Sequence, residues 1–88
     1  EHIVVKDFTT CLVLRMRSVP AIDSTAMNAL QDLICVCESK GITVVFSHVN
    51  EQPMKVMQKT GFVELVGEEN FCPNISAALK RAEEIIEN

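Results

Sequence analysis

Long apolar runs and clusters of positive charge are both missing from this chain of 88 residues. No stretch approaches the roughly 20 apolar residues that a membrane-spanning helix needs, so we expect no direct insertion of this domain into a membrane. The net charge is −4, and the lysines and arginines do not gather in one segment. Nucleic-acid-binding proteins normally present a basic face, so the sequence predicts no nucleic-acid partner.

The chain also has little glycine and none of the common catalytic motifs. Its three glycines leave few places where a backbone would wrap a phosphate, and neither GxSxG nor a glycine-rich phosphate loop occurs. A triad of Ser24, His48 and Asp23 is conceivable. However, an acid next to the nucleophile in sequence is poorly placed to orient a distant histidine. We therefore predict that the chain is not an enzyme, with no catalytic residues and no cofactor.

The four cysteines do not have the spacing of a metal site. No CxxC pair occurs, and Cys35 and Cys37 are two residues apart in a predicted helix, so their side chains point in different directions. The two histidines are His2 and His48. Zinc needs a tighter cluster of nitrogen and sulfur ligands than this. The sequence predicts no metal site and four free thiols in a reducing cytosol.

The apolar pattern predicts alternating strands and helices, which favours an α/β fold with parallel strands. The run CLVLRM is almost continuously apolar, as in a strand that is covered on both faces. The segment of residues 1–10 fits either a strand or the end of a helix. The predicted elements are a strand at 11–16, a helix at 24–39, a strand at 42–47, a helix from Pro53 to Gly61, a strand at 62–66, a loop at 67–73 and a helix capped by Asn74.

Parallel strands place the loops that follow them at one edge of the sheet, where ligand contacts gather. In the predicted topology these loops are 18–23, 48–52 and 66–73. Their polar residues are therefore expected to share this edge, namely Asp23, Ser24, Thr25, His48, Asn50 and Glu68.

The Asp23-Ser24-Thr25 corner has two compatible interpretations. Asp23 is a suitable N-cap, with Ser24 and Thr25 in the first helical turn. The partial positive charge of a helix N-terminus also tolerates a phosphate there. Phosphorylation would add negative charge close to Asp23 and would disrupt a docked partner by repulsion. The corner thus suits a charge switch as well as a simple cap.

Two stretches of the sequence resemble STAS domains, in particular those at the cytosolic C-terminus of SulP-type anion transporters. The first is LVLRMRSVPAIDSTAMNAL, with an arginine- and methionine-containing strand followed by Val-Pro-x-Ile-Asp and hydroxyl residues. The second is GFVELVGEENFCPNISAALKRAEEI. The resemblance as a whole covers roughly residues 11–86. The resemblance implies a sheet of mainly parallel strands with helices packed on one side.

The resemblance also implies a function through protein contacts. It implies a cytosolic regulatory domain of a SulP-type transporter of sulfate or another anion, tethered at the cytoplasmic face of the inner (plasma) membrane. The implied partners are the membrane-embedded transporter domain of the same polypeptide and a cytosolic regulatory protein or kinase. The residues expected to form a phosphorylation or partner-contact site are Asp23, Ser24, Thr25, Ala26, His48 and Asn50.

A second branch of the family offers an alternative. In anti-sigma-factor antagonists the hydroxyl that follows the motif acid is phosphorylated by a partner kinase, and that position is Ser24 here. These antagonists usually carry glycine where this chain has Ala26, whose methyl group would crowd a docking surface. Transporter-type domains often lack a serine at position 24.

The family normally begins with one or two strands and a helix before the strand at 11–16. Most of that part is missing, so we treat 1–88 as a single STAS domain that is incomplete at its N-terminus. Residues 1–10 would then be the end of the first helix. If the missing strands are absent, the strand at 11–16 is expected to lack a neighbour and to expose an edge that favours aggregation.

Overall fold

The computed structural model describes residues 2–4 and 11–87, which form four strands, four α-helices and one short 3₁₀ turn. The strands are β1 (His2–Val4), β2 (Cys11–Arg15), β3 (Thr43–Ser47) and β4 (Phe71–Cys72). The helices are α1 (Ser24–Ser39), α2 (Glu51–Lys59), α3 (Phe62–Val66) and α4 (Ile75–Glu87), and the 3₁₀ turn covers Glu68–Asn70. None of the helices in these two ranges has the length and apolar content to span a membrane.

The strands form one sheet in the order β1-β2-β3-β4. The pairs β2–β3 and β3–β4 are parallel, whereas β1 runs antiparallel to β2. The α/β class and the mainly parallel sheet are therefore confirmed. Residues 2–4 form a strand rather than the end of a helix, while residues 1 and 5–10 lie outside the described residues. Since β1 and β3 flank β2, the expected unpaired edge at 11–16 is wrong.

The two faces of the sheet carry separate apolar clusters. Alternate residues of a strand point to opposite faces, so Leu14 and Val13 belong to different clusters. The Leu14 face is covered by residues of α1, α2 and α3, including Met27, Met57 and Phe62. On the other face, Val13 packs with residues of α4 that include Ala78 and Ala82.

Helices thus cover both faces, and the one-sided arrangement that the resemblance implied is wrong. The sequence of β2 already favoured two covered faces. Small side chains explain how α4 reaches the second face, because Ala78 and Ala82 are both almost fully buried against the sheet. The opposite face of α4 carries exposed charged residues such as Lys80 and Glu83.

The long helices and the central strand agree with the sequence. Helix α1 has the predicted bounds, and Gly41 after it adopts the left-handed backbone that ends a helix favourably, at φ +72°. Strand β3 starts one residue later than predicted. Helix α4 begins after Asn74, whose side-chain Oδ1 accepts a hydrogen bond of 2.8 Å from the backbone N–H of Ala77.

The predicted strand at 62–66 is wrong, because this segment forms helix α3. A helical turn places Phe62, Val63 and Val66 together against the Leu14 face, whereas a strand would have sent Val63 to the side opposite Phe62 and Val66. Gly61 allows the sharp turn from α2 into α3 with a left-handed backbone at φ +77°. The strand that pairs with β3 on the side away from β2 is Phe71–Cys72, within the segment predicted as a loop.

Candidate interaction rim

The carboxyl ends of β2, β3 and β4 meet at one edge of the sheet, because these three strands are parallel. We define the carboxyl rim as residues 16–25, 48–52 and 73–74, which follow the three strands. Backbone hydrogen bonds join these segments to neighbouring strands, from Met16 N–H to the Ser47 carbonyl and from His48 N–H to the Cys72 carbonyl, each 2.9 Å long. The rim predicted for Asp23–Thr25, His48 and Asn50 is therefore present.

Glu68 does not belong to this rim, contrary to the sequence prediction. The prediction rested on a strand at 62–66 whose carboxyl end would lead into the loop 66–73. Since 62–66 is helical, Glu68 lies before β4 rather than after a strand. The segment that takes its place at the rim is Pro73–Asn74.

Asp23 caps helix α1 as the sequence predicts. Its backbone is extended, at φ −103° and ψ −179°, and its Oδ1 accepts a hydrogen bond of 2.8 Å from the backbone N–H of Ala26. This bond satisfies one of the N–H groups that the first turn of a helix leaves without an intrahelical partner. The Asp23 carboxylate thus has a structural role at the start of α1.

Replacing Asp23 by alanine is expected to lower the free energy of unfolding by about 0.5–2 kcal/mol, because the N-cap is lost. Urea denaturation followed by far-ultraviolet circular dichroism measures this loss. Asp23→Asn keeps an N-cap acceptor and is expected to be nearly neutral. Asp32→Ala, at an exposed position of the same helix, controls for the loss of charge. Equal stability of Asp23→Ala and the parent chain would contradict the capping role.

Ser24 and Thr25 are exposed in the first turn of α1, and Ala26 beside them is half-buried. No acidic residue lies in the first turn of α1, so the partial positive charge of the helix terminus is offset there only by the Asp23 cap. The hydroxyl groups are open to solvent and to a partner or modifying enzyme. The structure therefore permits both interpretations of the corner.

Asn50 fixes the loop between β2 and α1 to the loop after β3. Its side-chain Nδ2 donates hydrogen bonds of 2.8 Å to the Val19 carbonyl and 3.0 Å to the Arg17 carbonyl. Both acceptors belong to a loop that has no secondary structure of its own. Asn50 thus positions the rim through the N–H groups of its side-chain amide.

Gln52 holds the same loop at a second point, and sequence reasoning missed it. Its Oε1 accepts a hydrogen bond of 2.9 Å from the Ile22 N–H, and its Nε2 donates one of 3.3 Å to the Ile22 carbonyl. The two residues are 30 positions apart, so no local pattern signals the contact. Together, Asn50 and Gln52 hold the segment that leads into Asp23 against the start of α2.

His48 follows β3 directly and has a backbone conformation that is uncommon for a residue with a side chain. Its φ is +55°, in the left-handed region, and its side chain is exposed. The backbone N–H is anchored to β4, so the imidazole projects from a fixed position on the rim. This placement suits contact with a ligand or partner outside the sheet.

The thiols lie mainly in the apolar layers. All four cysteines are unpaired. Burial raises the pKa of the Cys11 and Cys37 thiols above their ordinary value, and it raises that of Cys72 despite the opposing effect of Arg81. These three thiols therefore stay protonated at neutral pH. Within residues 2–4 and 11–87, no three His, Cys, Asp or Glu side chains come together to hold a metal ion.

Comparison with known protein families finds a match that covers most of the chain. Residues 2–78 match the STAS domain family. Among curated proteins, the probable sulfate transporter 4.2 of Arabidopsis thaliana is 33% identical over 69 residues, which cover 78% of this chain. The same match covers 10% of the Arabidopsis protein, so the chain spans a small part of that relative.

Solved structures agree with the fold. The crystal structure of a sulfate transporter family protein from Wolinella succinogenes superimposes with a TM-score of 0.88 at 34% identity, over 97% of this chain and 70% of that one. The STAS domain of a SulP transporter from Vibrio cholerae gives a TM-score of 0.84 at 34% identity, over 94% and 65% of the respective chains. Both similarities extend over nearly the whole chain.

Proposed function

This chain belongs to the STAS domain family, and from that premise we propose that it is the regulatory and protein-interaction domain of a SulP-type transporter of sulfate or another anion. The observation that carries the proposal is the agreement of its fold with the SulP transporter STAS domain of Vibrio cholerae over 94% of the chain. The Arabidopsis and Wolinella relatives, which bear the name of sulfate transporters, support the same assignment.

The partner in this proposal is the membrane-embedded transporter domain of the same polypeptide. The domain lies at the cytoplasmic face of the plasma membrane and is tethered there through the transporter. The carboxyl rim is the surface that docks, since Asp23, Ser24 and Thr25 are exposed on a corner that two side chains hold in place. A surface that is ordered before binding loses less conformational entropy when it docks.

We further propose that the domain is not catalytic. Two polar side chains of the rim have a structural role, because Asp23 caps a helix and Asn50 donates to two backbone carbonyls. Regulation then proceeds through contact between domains rather than through a reaction at the rim.

A bulky substitution at the rim tests the proposal in the full-length polypeptide. Its coding sequence is expected to contain several apolar segments of about 20 residues. Thr25→Trp is expected to lower anion uptake by about fivefold or more, the effect of losing ~1 kcal/mol at an interface. Uptake of labelled sulfate, bicarbonate and a dicarboxylate is measured in cells and divided by the amount of protein at the surface.

Gln58→Trp is the matched control for this experiment. Gln58 is exposed near the end of α2 that points away from the rim, so the same bulk there is expected to leave uptake unchanged. Equal uptake by both variants and the parent would contradict docking through the rim. A coding sequence without membrane-spanning segments would contradict the transporter assignment itself.

The exposed hydroxyl of Ser24 supports a second candidate function, a phosphoswitch like that of the anti-sigma-factor antagonists. Ser24 opens α1 directly after Asp23, where a kinase would reach it. Incubation with candidate cytosolic kinases and ATP, followed by mass spectrometry, tests this candidate. Phosphate on the parent chain and on Thr25→Ala, but not on Ser24→Ala, would favour it. No phosphate in any of the three would speak against it.

A further inference from the structure

A positively charged cleft opens on the rim beside the start of α4. It has a volume of about 260 Å³ and is lined by Arg15, Arg17, Ser47, His48, Asn74 and Ile75. No carboxylate of residues 11–87 belongs to this lining, although the whole chain carries a net charge of −4. The described residues place no Asp or Glu within ion-pair distance of Arg15 or Arg17. The cleft therefore concentrates positive charge on an acidic protein.

Ser47 is a buried polar residue in the lining of the cleft. The residue is only 2% exposed, and it lines the cleft. No hydrogen-bond partner for its hydroxyl occurs among the described residues, although buried polar side chains normally have one. Since every fully buried side-chain nitrogen or oxygen in those residues is paired, the Ser47 hydroxyl retains a small accessible surface, and the residue lines the cleft. A ligand in the cleft would accept a hydrogen bond from this hydroxyl.

The first turn of α4 adds donors from the backbone. Asn74 satisfies the N–H groups of Ala77 and Ala78 through its side chain and its carbonyl. The N–H groups of Ile75 and Ser76 come before these in the helix and have no intrahelical acceptor. They lie at the positive end of a 13-residue helix. Two arginines, Ser47 and the first residue of α4 thus line a single small space, and the free N–H of Ser76 lies one residue further along the helix.

We propose that this cleft binds a tetrahedral oxyanion of the sulfate or phosphate type. Guanidinium groups offer paired N–H donors that match the oxygens of such anions. The Ser47 hydroxyl donates from below, and the start of α4 donates from the side. The site takes either the free anion or the phosphate of a lipid headgroup, since both present the same oxygens. It lies on the same carboxyl rim but uses other residues than the corner at Asp23–Thr25.

Titration of the ¹⁵N-labelled chain tests the site by nuclear magnetic resonance. Sodium sulfate and sodium phosphate are added at an ionic strength held constant with sodium chloride. We expect saturable shifts of the amides of Ser47, His48, Ile75 and Ser76, with a Kd near ~1 mM. Vesicles of phosphatidylcholine with phosphatidic acid form a separate arm. Broadening of the same signals there, without shifts from the free anions, would assign the site to a headgroup.

Substitutions distinguish a specific anion-binding site from a general electrostatic attraction between anions and the protein. The double change Arg15→Gln and Arg17→Gln is expected to weaken binding about tenfold or more, and Ser47→Ala about threefold. Lys80→Gln removes one positive charge from an exposed position of α4 and is expected to leave the Kd unchanged. The dispersion of the amide spectrum reports whether each variant is folded.

Identical shifts with chloride alone, no response to the anions or the vesicles, or an unchanged Kd in both the arginine and the serine variants would overturn the proposal. The proposal does not use the transporter assignment. Its failure would therefore leave the docking experiments with Thr25→Trp unaffected, and the reverse also holds.

Discussion

Replacing Phe46 by alanine is expected to lower the free energy of unfolding by about 3–5 kcal/mol, the largest effect of any single change proposed for this chain. Phe46 lies in the central strand β3 and is completely buried. Its ring stacks on Phe71 of β4 at a centroid distance of 5.0 Å and meets Phe62 of α3 edge-on at 5.7 Å. Loss of the ring would leave a cavity where a strand pair and a helix join.

Urea denaturation monitored by circular dichroism measures this effect, because the chain contains no tryptophan or tyrosine as a fluorescent reporter. A domain of this size is expected near the lower end of the ~5–15 kcal/mol stability range, so Phe46→Ala is close to unfolding. Phe46→Leu keeps most of the apolar volume and is expected to cost about 1–2 kcal/mol.

Val36→Ala is the control for the aromatic substitution. Val36 is 51% exposed on α1, so its truncation is expected to change stability by less than about 0.5 kcal/mol. A loss for Phe46→Ala no larger than that of Val36→Ala would show that the aromatic cluster does not hold β4 and α3 on the sheet.

Replacing Asn50 by alanine is expected to lower the free energy of unfolding by about 1–3 kcal/mol. The side-chain amide nitrogen donates hydrogen bonds to the carbonyls of Arg17 and Val19, and both carbonyls lose this donor when Asn50 is replaced by alanine. Since Val19 is half-buried, water replaces the lost hydrogen bond only in part. The effect is also local, because these bonds hold the loop that leads into the docking corner.

Asn50→Asp tests the same hydrogen bonds with a side chain of similar size. Aspartate has nearly the same shape but places a carboxylate oxygen where the N–H donor stood, opposite two carbonyl oxygens. It is therefore expected to destabilise the chain at least as much as alanine does. Asn28→Ala, at an exposed position of α1, is the matched control and is expected to be neutral.

Amide hydrogen exchange shows which part of the chain the Asn50 substitution affects, in addition to how large the effect is. Faster exchange of the amides in the segment 16–23 is expected in Asn50→Ala, with little change in α4. A variant that is as stable as the parent and exchanges at the same rate in this segment would contradict the role of Asn50 in positioning the rim.

Segments with a long, regular apolar pattern were predicted well from the sequence. Helix α1 is long enough for the spacing of 3.6 to be decisive, whereas β3 was assigned from its β-branched, continuously apolar composition. The Asp23 cap was predicted because the two residues that it joins, Asp23 and Ala26, are only three positions apart in the sequence. The rim followed from topology alone, since parallel strands fix where their carboxyl ends meet.

The failures have a common physical cause, which is that tertiary contacts decided the outcome. The five residues of α3 are rich in β-branched and aromatic side chains that favour strands, but packing against the sheet overrides this preference. Strand β4 has two residues, too few for any periodicity. The contact of Gln52 with Ile22 and the joining of Arg15, Ser47 and Asn74 in one cleft depend on residues far apart in sequence.

The central claim is that the carboxyl rim docks on the membrane-embedded part of the same polypeptide. Hydrogen exchange of the isolated chain, compared with the full-length protein in a membrane, tests it most directly. The account predicts that amides in 16–25 and 48–52 exchange about tenfold more slowly in the full-length protein, the equivalent of ~1.4 kcal/mol of protection. Segments 39–42 and 58–61, at the opposite edge of the sheet, are expected to exchange at the same rate in both. Equal exchange of the rim in the two proteins, or slowing confined to the opposite edge, would contradict the account.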